Sequence, residues 1–158
     1  MEENWINIEG VAEGSVERID FRSTLIRRFD KAPIYVPNSV LSDSEIINFS
    51  EMPFRRIRFH VGLLYETTPE TIMSIRKDIE SYIEKNTNLV DADQVQSTIR
   101  VTDFNDSSID VLVNCFTKST QWHDYCVARE ELIMEIMRIV KNNGSDFAYP
   151  TRTIHVEK

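Results

Sequence analysis

Two textures of hydrophobic and polar positions follow one another along this chain. Up to about residue 50, short β-favouring runs alternate with turn formers: Trp5 to Ile8, Ser15 to Phe21, Thr24 to Phe29, Ile34 to Val36, and Glu45 to Phe49. Gly10 and Gly14 punctuate the first pair, while Asp30 and Pro33 break the chain before the fourth. Five short strands with no helix of useful length predict a small sandwich or an SH3-like β-barrel. In the second run Val16, Ile19 and Phe21 fall among Glu17, Arg18 and Asp20, an imperfect alternation that leaves the strand register open.

From Pro53 onward the period changes. Ile57, Phe59, Val61 and Leu63 share one face of a strand, with Arg56, Arg58, His60 and Gly62 on the other. Ile72, Ile75, Ile79, Tyr82 and Ile83 then recur at helical spacing, behind a Thr67 or Thr68 cap and a Pro69 suited to the first turn. A hairpin follows, Thr98 to Phe104 and Ile109 to Phe116, joined through Asn105, Asp106, Ser107 and Ser108. A second helix is predicted from about Ser119 to Asn142, with Trp122, Tyr125, Cys126, Ile133, Ile136 and Val140 inward and Gly144 ending it. The chain closes with the extended stretch "YPTRTIHV".

The order strand, helix, strand, strand, helix, strand is the ferredoxin-like split βαβ pattern. The expected fold is therefore α+β: a small SH3/Sm-like β-barrel over residues 4–52, then a ferredoxin-like βαββαβ domain over 53–158. The last strand, Thr151 to Val156, either completes its own sheet or pairs elsewhere.

At 158 residues and 41% hydrophobic content the chain can bury the cores that this division requires. A net charge of -8 argues against nucleic acid as a partner, since such a surface repels phosphate backbones. The densest basic run, "FRRIRFH", interleaves Arg55, Arg56 and Arg58 with Phe54, Ile57 and Phe59, as a half-buried strand does. Splitting the charges at residue 58 assigns -6 of the -8 to the second half, which suggests cation enrichment there. Two cysteines make no disulfide framework and fit a reducing compartment. The sequence contains no apolar window of 18 residues or more, and "MEENWINIEG" lacks the regions of a signal peptide. The sequence as given is expected neither to cross a membrane nor to be secreted, and a strand this close to Met1 reads as a piece of a longer polypeptide.

Candidate chemistry is thin. Cys115, His123 and Cys126 have the residue types of a zinc site, but a closed site takes four ligands and no second pair is present, so Cys115 is expected in a sheet core. A cysteine nucleophile using His60 or His155 has no supporting local signature. His60 reads as a surface or interface residue, and Trp5 and Trp122 as core or interface anchors. Phosphate loops, paired acid-base carboxylates and nucleophile elbows do not occur, so no catalytic, cofactor or metal residues are assigned.

The stretch "GVAEGSVERIDFRSTLIRRFDKAPIYVPNSVLSDSEIINFS" resembles the β-domain of the small-conductance mechanosensitive channel (MscS-like) family. The shared elements are Gly14, Ser15, Val16 and Glu17; Arg22, Thr24, Ile26 and Arg27; Phe29 and Asp30; Pro37, Asn38 and Ser39; and Asn48. The resemblance continues through "RRIRFHVGLLYETTPETI" and "FAYPTRTIHV" and so covers nearly the whole chain. It implies the cytoplasmic vestibule of a homo-oligomeric, usually heptameric channel that releases ions and osmolytes on hypo-osmotic shock.

Gly14, Arg22, Thr24, Arg27, Asp30, Pro37, Asn38, Ser39 and Asn48 are then structural motif positions and intersubunit contacts. Partners are copies of the chain itself, permeating ions and small solutes, and the membrane through helices that the sequence lacks. Where the family commonly has Asp-Gly, this chain has Asp30, Lys31, Ala32 and Pro33, so a different turn is expected. Pro37, Asn38 and Ser39 are expected to end their strand as a sharp corner. The alternative from another class is a small RNA-binding module, because both folds host RNA binders; an enzyme ranks third.

Overall fold

The computed structural model describes residues 4–150. Two compact units divide between Pro53 and Phe54.

The first unit is a five-stranded antiparallel sheet built from β1 (Trp5–Ile8), β2 (Ala12–Ile19), β3 (Ser23–Arg27), β4 (Pro33–Pro37) and β5 (Ile46–Asn48), in the order β4-β3-β2-β1-β5. Ile6, Ile8, Ala12, Ile26 and Val36 form its small core, with Val16, Ile34, Val40 and Leu41 packed against it. The imperfect alternation of the second run has a specific cause. Val16 pairs with Ile26 but Arg18 pairs with Leu25, so Glu17 is the extra residue of a β-bulge. Strands β2 and β3 stop at Ile19 and Arg27, short of Phe21 and Phe29, which are exposed.

Pro33 and Pro37 both sit in β4, an edge strand whose outer side needs no ladder donors. Beyond Pro37 the chain makes a short helix, α1 (Asn38–Asp43), where sequence reasoning expected only a corner. Proline at this junction has φ -57°, compatible with the helix that follows it. A 3₁₀ turn, Phe49–Glu51, closes the unit.

The second unit holds β6 (Arg55–Leu63), α2 (Pro69–Lys85), β7 (Thr98–Phe104), β8 (Ile109–Thr117) and α3 (Trp122–Asn142). Its sheet has the order β6-β8-β7, with both pairings antiparallel. Strands β6 and β7 are therefore parallel and separated by β8, the split βαβ arrangement. Ile57, Val61 and Leu63 of β6, with Val111, Val113 and Cys115 of β8, bury against Ile75, Ile79 and Ile83 of α2 and Leu132, Ile136 and Val140 of α3. Both helices thus cover one face of the sheet, and among the described residues of this unit no element covers the other. Past α3, the amide of Ala148 donates to the Gly62 carbonyl at 2.9 Å, and Phe147 bridges to Leu63, which brings the chain alongside β6. The expectation for Thr151 to Val156 lies outside the described residues.

Helix α2 begins as its sequence predicts: the Thr68 hydroxyl accepts from the Thr71 amide at 3.3 Å, with Pro69 next. Helix α3 ends in a Schellman motif, in which the Ser145 amide donates to the Val140 carbonyl and the Gly144 amide to the Lys141 carbonyl. Gly144 takes φ 73° there.

The inward face of α3 needs correction. Ala128, Leu132, Ile136, Ile139 and Val140 are buried, whereas Trp122, Cys126 and Ile133 are exposed. Steps of four, from 128 to 132 to 136 to 140, define the buried stripe, and residues 126 and 133 lie well round the helix from it. Apolar residues on several sides of α3 masked that stripe in the sequence.

Candidate functional site

Arg22, Thr24, Pro37, Asn38 and Ser39 lie at the end of the sheet where β2 turns into β3 and β4 enters α1. Asn38 is the hub. Its side-chain carbonyl accepts from the buried Thr24 hydroxyl at 2.9 Å, and its Nδ2 donates to the carbonyls of Asp20 (2.9 Å) and Phe21 (3.3 Å). Its backbone amide donates to the Arg22 carbonyl at 2.9 Å. One residue therefore ties the end of edge strand β4 to the neighbouring hairpin turn. Pro37 pairs with Ser23 in the ladder just before it, and Ser39 is exposed.

At the opposite end of β3, Gly14 is held by a close approach of backbone. A Cβ there would lie 2.3 Å from the Arg27 carbonyl oxygen. The Arg27 guanidinium forms a bidentate pair with bulge residue Glu17, Nε to Oε2 at 2.6 Å and Nη2 to Oε1 at 3.0 Å. Its Nη1 donates to the Lys31 carbonyl. The hydrogen bonds from Arg27 hold the Glu17 carboxyl below its ordinary value.

Asp30 accepts from the Ala32 amide at 3.0 Å through Oδ1, an Asx-turn. Lys31 has φ 69°, so this turn holds a non-glycine residue in the left-handed backbone that glycine adopts more easily. Asn48 caps the 3₁₀ turn by accepting from the Ser50 amide, and its Nδ2 donates to Glu51. The Ser50 hydroxyl in turn accepts from the Trp5 amide at 2.8 Å.

In the second unit the run "RRIRFH" separates by strand alternation. Arg55 points to the helix side, where its guanidinium lies 4.7 Å from the Trp122 ring centroid and 5.0 Å from that of Tyr125, and donates to the Thr120 carbonyl. Trp122 is thus an exposed stacking partner and not a core anchor. Arg56, Arg58 and His60 are exposed on the bare side of the sheet. Because the unit begins at Phe54, these arginines belong to it. It carries 13 Lys and Arg against 16 Asp and Glu, a net of -3, and the first unit 5 against 10, a net of -5. The -6 obtained by cutting at residue 58 came from dividing β6.

Cys115 is buried in β8, its thiol pushed up to about 12 by desolvation, and Cys126 is exposed on α3. Among the described residues no group of three or more His, Cys, Asp or Glu side chains is placed to hold a metal ion. His155 lies outside the described residues. No described helix is long and apolar enough to cross a membrane. In the described residues the side chains of Thr24, Arg27, Asp30, Asn38 and Asn48 hydrogen-bond to turns, the bulge and strand ends.

Comparison with known proteins gives these residues their context. Residues 3–51 match the family described as mechanosensitive ion channel, beta-domain, and residues 57–147 the family described as mechanosensitive ion channel MscS, C-terminal. The low conductance mechanosensitive channel YnaI of Escherichia coli (strain K12) is 36% identical over 146 residues, spanning 92% of this chain and 41% of that protein. The small-conductance mechanosensitive channel MscMJ of Methanocaldococcus jannaschii is 32% identical over 155 residues, or 98% of this chain and 43% of that protein. This chain therefore spans less than half the length of either relative. Among solved structures, the closed-state crystal structure of Helicobacter pylori MscS superposes with a TM-score of 0.77 at 26% identity, covering 98% of this chain and 58% of that one. A cryo-EM structure of Arabidopsis thaliana MSL1 reaches a TM-score of 0.85 at 21% identity, over 96% of this chain and 53% of that one, and shows the shared fold. An RNA-binding reading finds no support in these matches.

Proposed function

This chain belongs to the MscS family of mechanosensitive ion channels, and from that premise we propose that it is the cytoplasmic vestibule and assembly region of a channel subunit. The full-length protein would open under membrane tension and release ions and small osmolytes on hypo-osmotic shock. The observation that carries this reading is the order of the two matches, a β-domain followed by a C-terminal domain, across two separate folded units of the same chain. The functional division follows as a β-domain over about residues 4–52 and an α/β domain over 53–158.

In this reading Gly14, Thr24, Arg27, Asp30, Pro37, Asn38 and Asn48 preserve the shape of the β-domain. Arg22 and Ser39, whose side chains are exposed, face neighbouring copies in a homo-oligomer, proposed to be a heptamer on the cytoplasmic side of the cell membrane. Two measurements test the proposal. Patch recording of the full-length protein should show current that appears with applied suction, and its absence at every tolerated tension would sink the channel reading. Light scattering of the present chain should give a sevenfold multiple of 18.5 kDa if these units suffice for assembly. A monomer would assign assembly to other parts of the protein.

A further inference from the structure

Strand alternation in β6 and β8 sorts charge across the second sheet. The helix-covered side is apolar apart from Arg55 and Thr117 at one end, while the bare side carries Arg56 opposite Phe116, Arg58 opposite Asn114, and His60 opposite Leu112. On β7, Thr98 extends the Arg58 row. No ion pair among the described residues engages Arg56 or Arg58, whereas Arg76 and Arg100 both hold Glu80. Asp110 lies opposite Gly62 at the end of the face, paired with Asp103 of β7, and already accepts from Ser108 (2.6 Å) and Asn105 (3.3 Å). Among the described residues, two guanidinium groups without an ion-pair partner therefore occupy alternate, exposed positions of one strand in a protein with a net charge of -8.

We propose that this bare sheet face, centred on Arg56, Arg58 and Asn114, collects small anions and biases the vestibule toward anion passage; the second half of the proposal rests on the channel reading above. The distances favour a joint effect. Alternate residues of a strand lie roughly 7 Å apart, inside a Debye length of about 10 Å at 0.1 M salt but beyond the ~3 Å that applies at 1 M. The two charges therefore act on an ion together at low ionic strength and separately at high. Repetition of the face in an oligomer would multiply the field, and guanidinium forks with the Asn114 amide supply donors suited to oxyanions such as phosphate and carboxylate osmolytes. This reverses the cation enrichment suggested by the bulk charge, because the sign of the open face, and not the net charge, decides which ion it meets.

The first test is a titration of the present chain with inorganic phosphate, followed by NMR. Shifts should concentrate on the amides and Nε–H signals of Arg56 and Arg58 and on Asn114, and should vanish in R56Q/R58Q and at ~1 M sodium chloride. Shifts that are absent, scattered over the surface, or retained in R56Q/R58Q would overturn the anion site. The second test is the reversal potential of the full-length channel in a potassium chloride gradient. It should lie toward the chloride potential in the wild type and move toward the potassium potential in R56E/R58E. Tension-gated current with a reversal potential unmoved by the substitution would overturn the permeation half and leave the channel reading intact. Absence of tension-gated current would remove the channel reading and the permeation half, while the phosphate titration still decides the face itself.

Discussion

The Thr24 hydroxyl donates to the side-chain carbonyl of Asn38 at 2.9 Å, and this bond joins a buried strand residue to the first residue of the helix that follows β4. Thr24 is buried, so its hydroxyl has no solvent to turn to when its partner is removed. Asn38→Ala should cost about 2–3 kcal/mol, since an orphaned buried polar group costs ~1–3 kcal/mol and two further bonds to the hairpin carbonyls are lost. Thr24→Val removes only the one bond and should cost about 1 kcal/mol. Chemical denaturation of both variants checks the order; a Thr24→Val penalty equal to or above that of Asn38→Ala would mean that Asn38 is not the hub.

Gly14 and Gly10 separate two reasons for a glycine. A Cβ at Gly14 would sit 2.3 Å from the Arg27 carbonyl oxygen, and backbone cannot swing aside. Gly10 has φ 70° but open space around it. Gly14→Ala should therefore cost about 3 kcal/mol through displacement of β2 from β3, and Gly10→Ala about 1 kcal/mol through conformation alone. Amide exchange distinguishes them further: only Gly14→Ala should accelerate exchange along the β2–β3 ladder.

Lys31 is the described non-glycine residue with positive φ, at 69°. A left-handed conformation costs an ordinary residue roughly 1–2 kcal/mol, and glycine returns about 0.5–1 kcal/mol of that as extra freedom in the unfolded chain. Lys31→Gly should stabilise the protein by up to about 1 kcal/mol. The Lys31 carbonyl that accepts from Arg27 is retained in the variant. A drop in thermal midpoint for Lys31→Gly would show that the lysine side chain contributes more than its backbone strain costs.

These positions also mark how far the sequence is readable. Alternation predicted β6 and its two faces, and the spacing of Ile75, Ile79 and Ile83 predicted α2, because each element has one buried side and a polar remainder. Thr68, Pro69 and Gly144 announced helix ends through local chemistry that needs no tertiary context. The motif residues were legible as a set, but their work was not. Nothing local says that Asn38 reaches carbonyls 17 and 18 residues away, or that Glu17 is the bulged residue. The orientation of α3 is hidden in the sequence for the opposite reason, an excess of signal: Val127, Ile133, Met134 and Met137 are apolar and exposed. Alternation separates Arg56 and Arg58 from Arg55 within the basic run, but only the fold shows that Arg55 meets the Trp122 and Tyr125 rings.

The two cysteines should differ sharply in reactivity. Cys115 is fully buried with its thiol pushed up to about 12, whereas Cys126 is exposed on α3. Only a thiolate attacks an alkylating reagent, so the native protein should take up one label, at Cys126, near neutral pH. The second should appear only on unfolding, at the rate of that process. Two labels on the native protein at comparable rates would contradict the packing of β8 against the helices.

The pH dependence of the Glu17–Arg27 pair has a definite sign. Hydrogen bonds from Arg27 lower the folded-state pKa of Glu17 below its ordinary 4.5, so the folded protein binds fewer protons than the unfolded chain as the pH falls past that value. The pair's contribution is present in full above 4.5 and is lost as the pH drops through the lowered folded-state value. The Glu17 side chain is exposed and that of Arg27 about a third exposed, so the effect is small and screened by salt. Unfolding curves across this range should show a slightly shallower acid limb for Glu17→Gln than for the wild type, with the difference shrinking at high ionic strength. Arg27→Gln should show the same flattening and, in addition, a pH-independent loss from its bond to the Lys31 carbonyl. If Glu17→Gln leaves the acid limb unchanged while Arg27→Gln still lowers stability at every pH, the arginine is held by the turn carbonyl and the carboxylate beside it is a bystander.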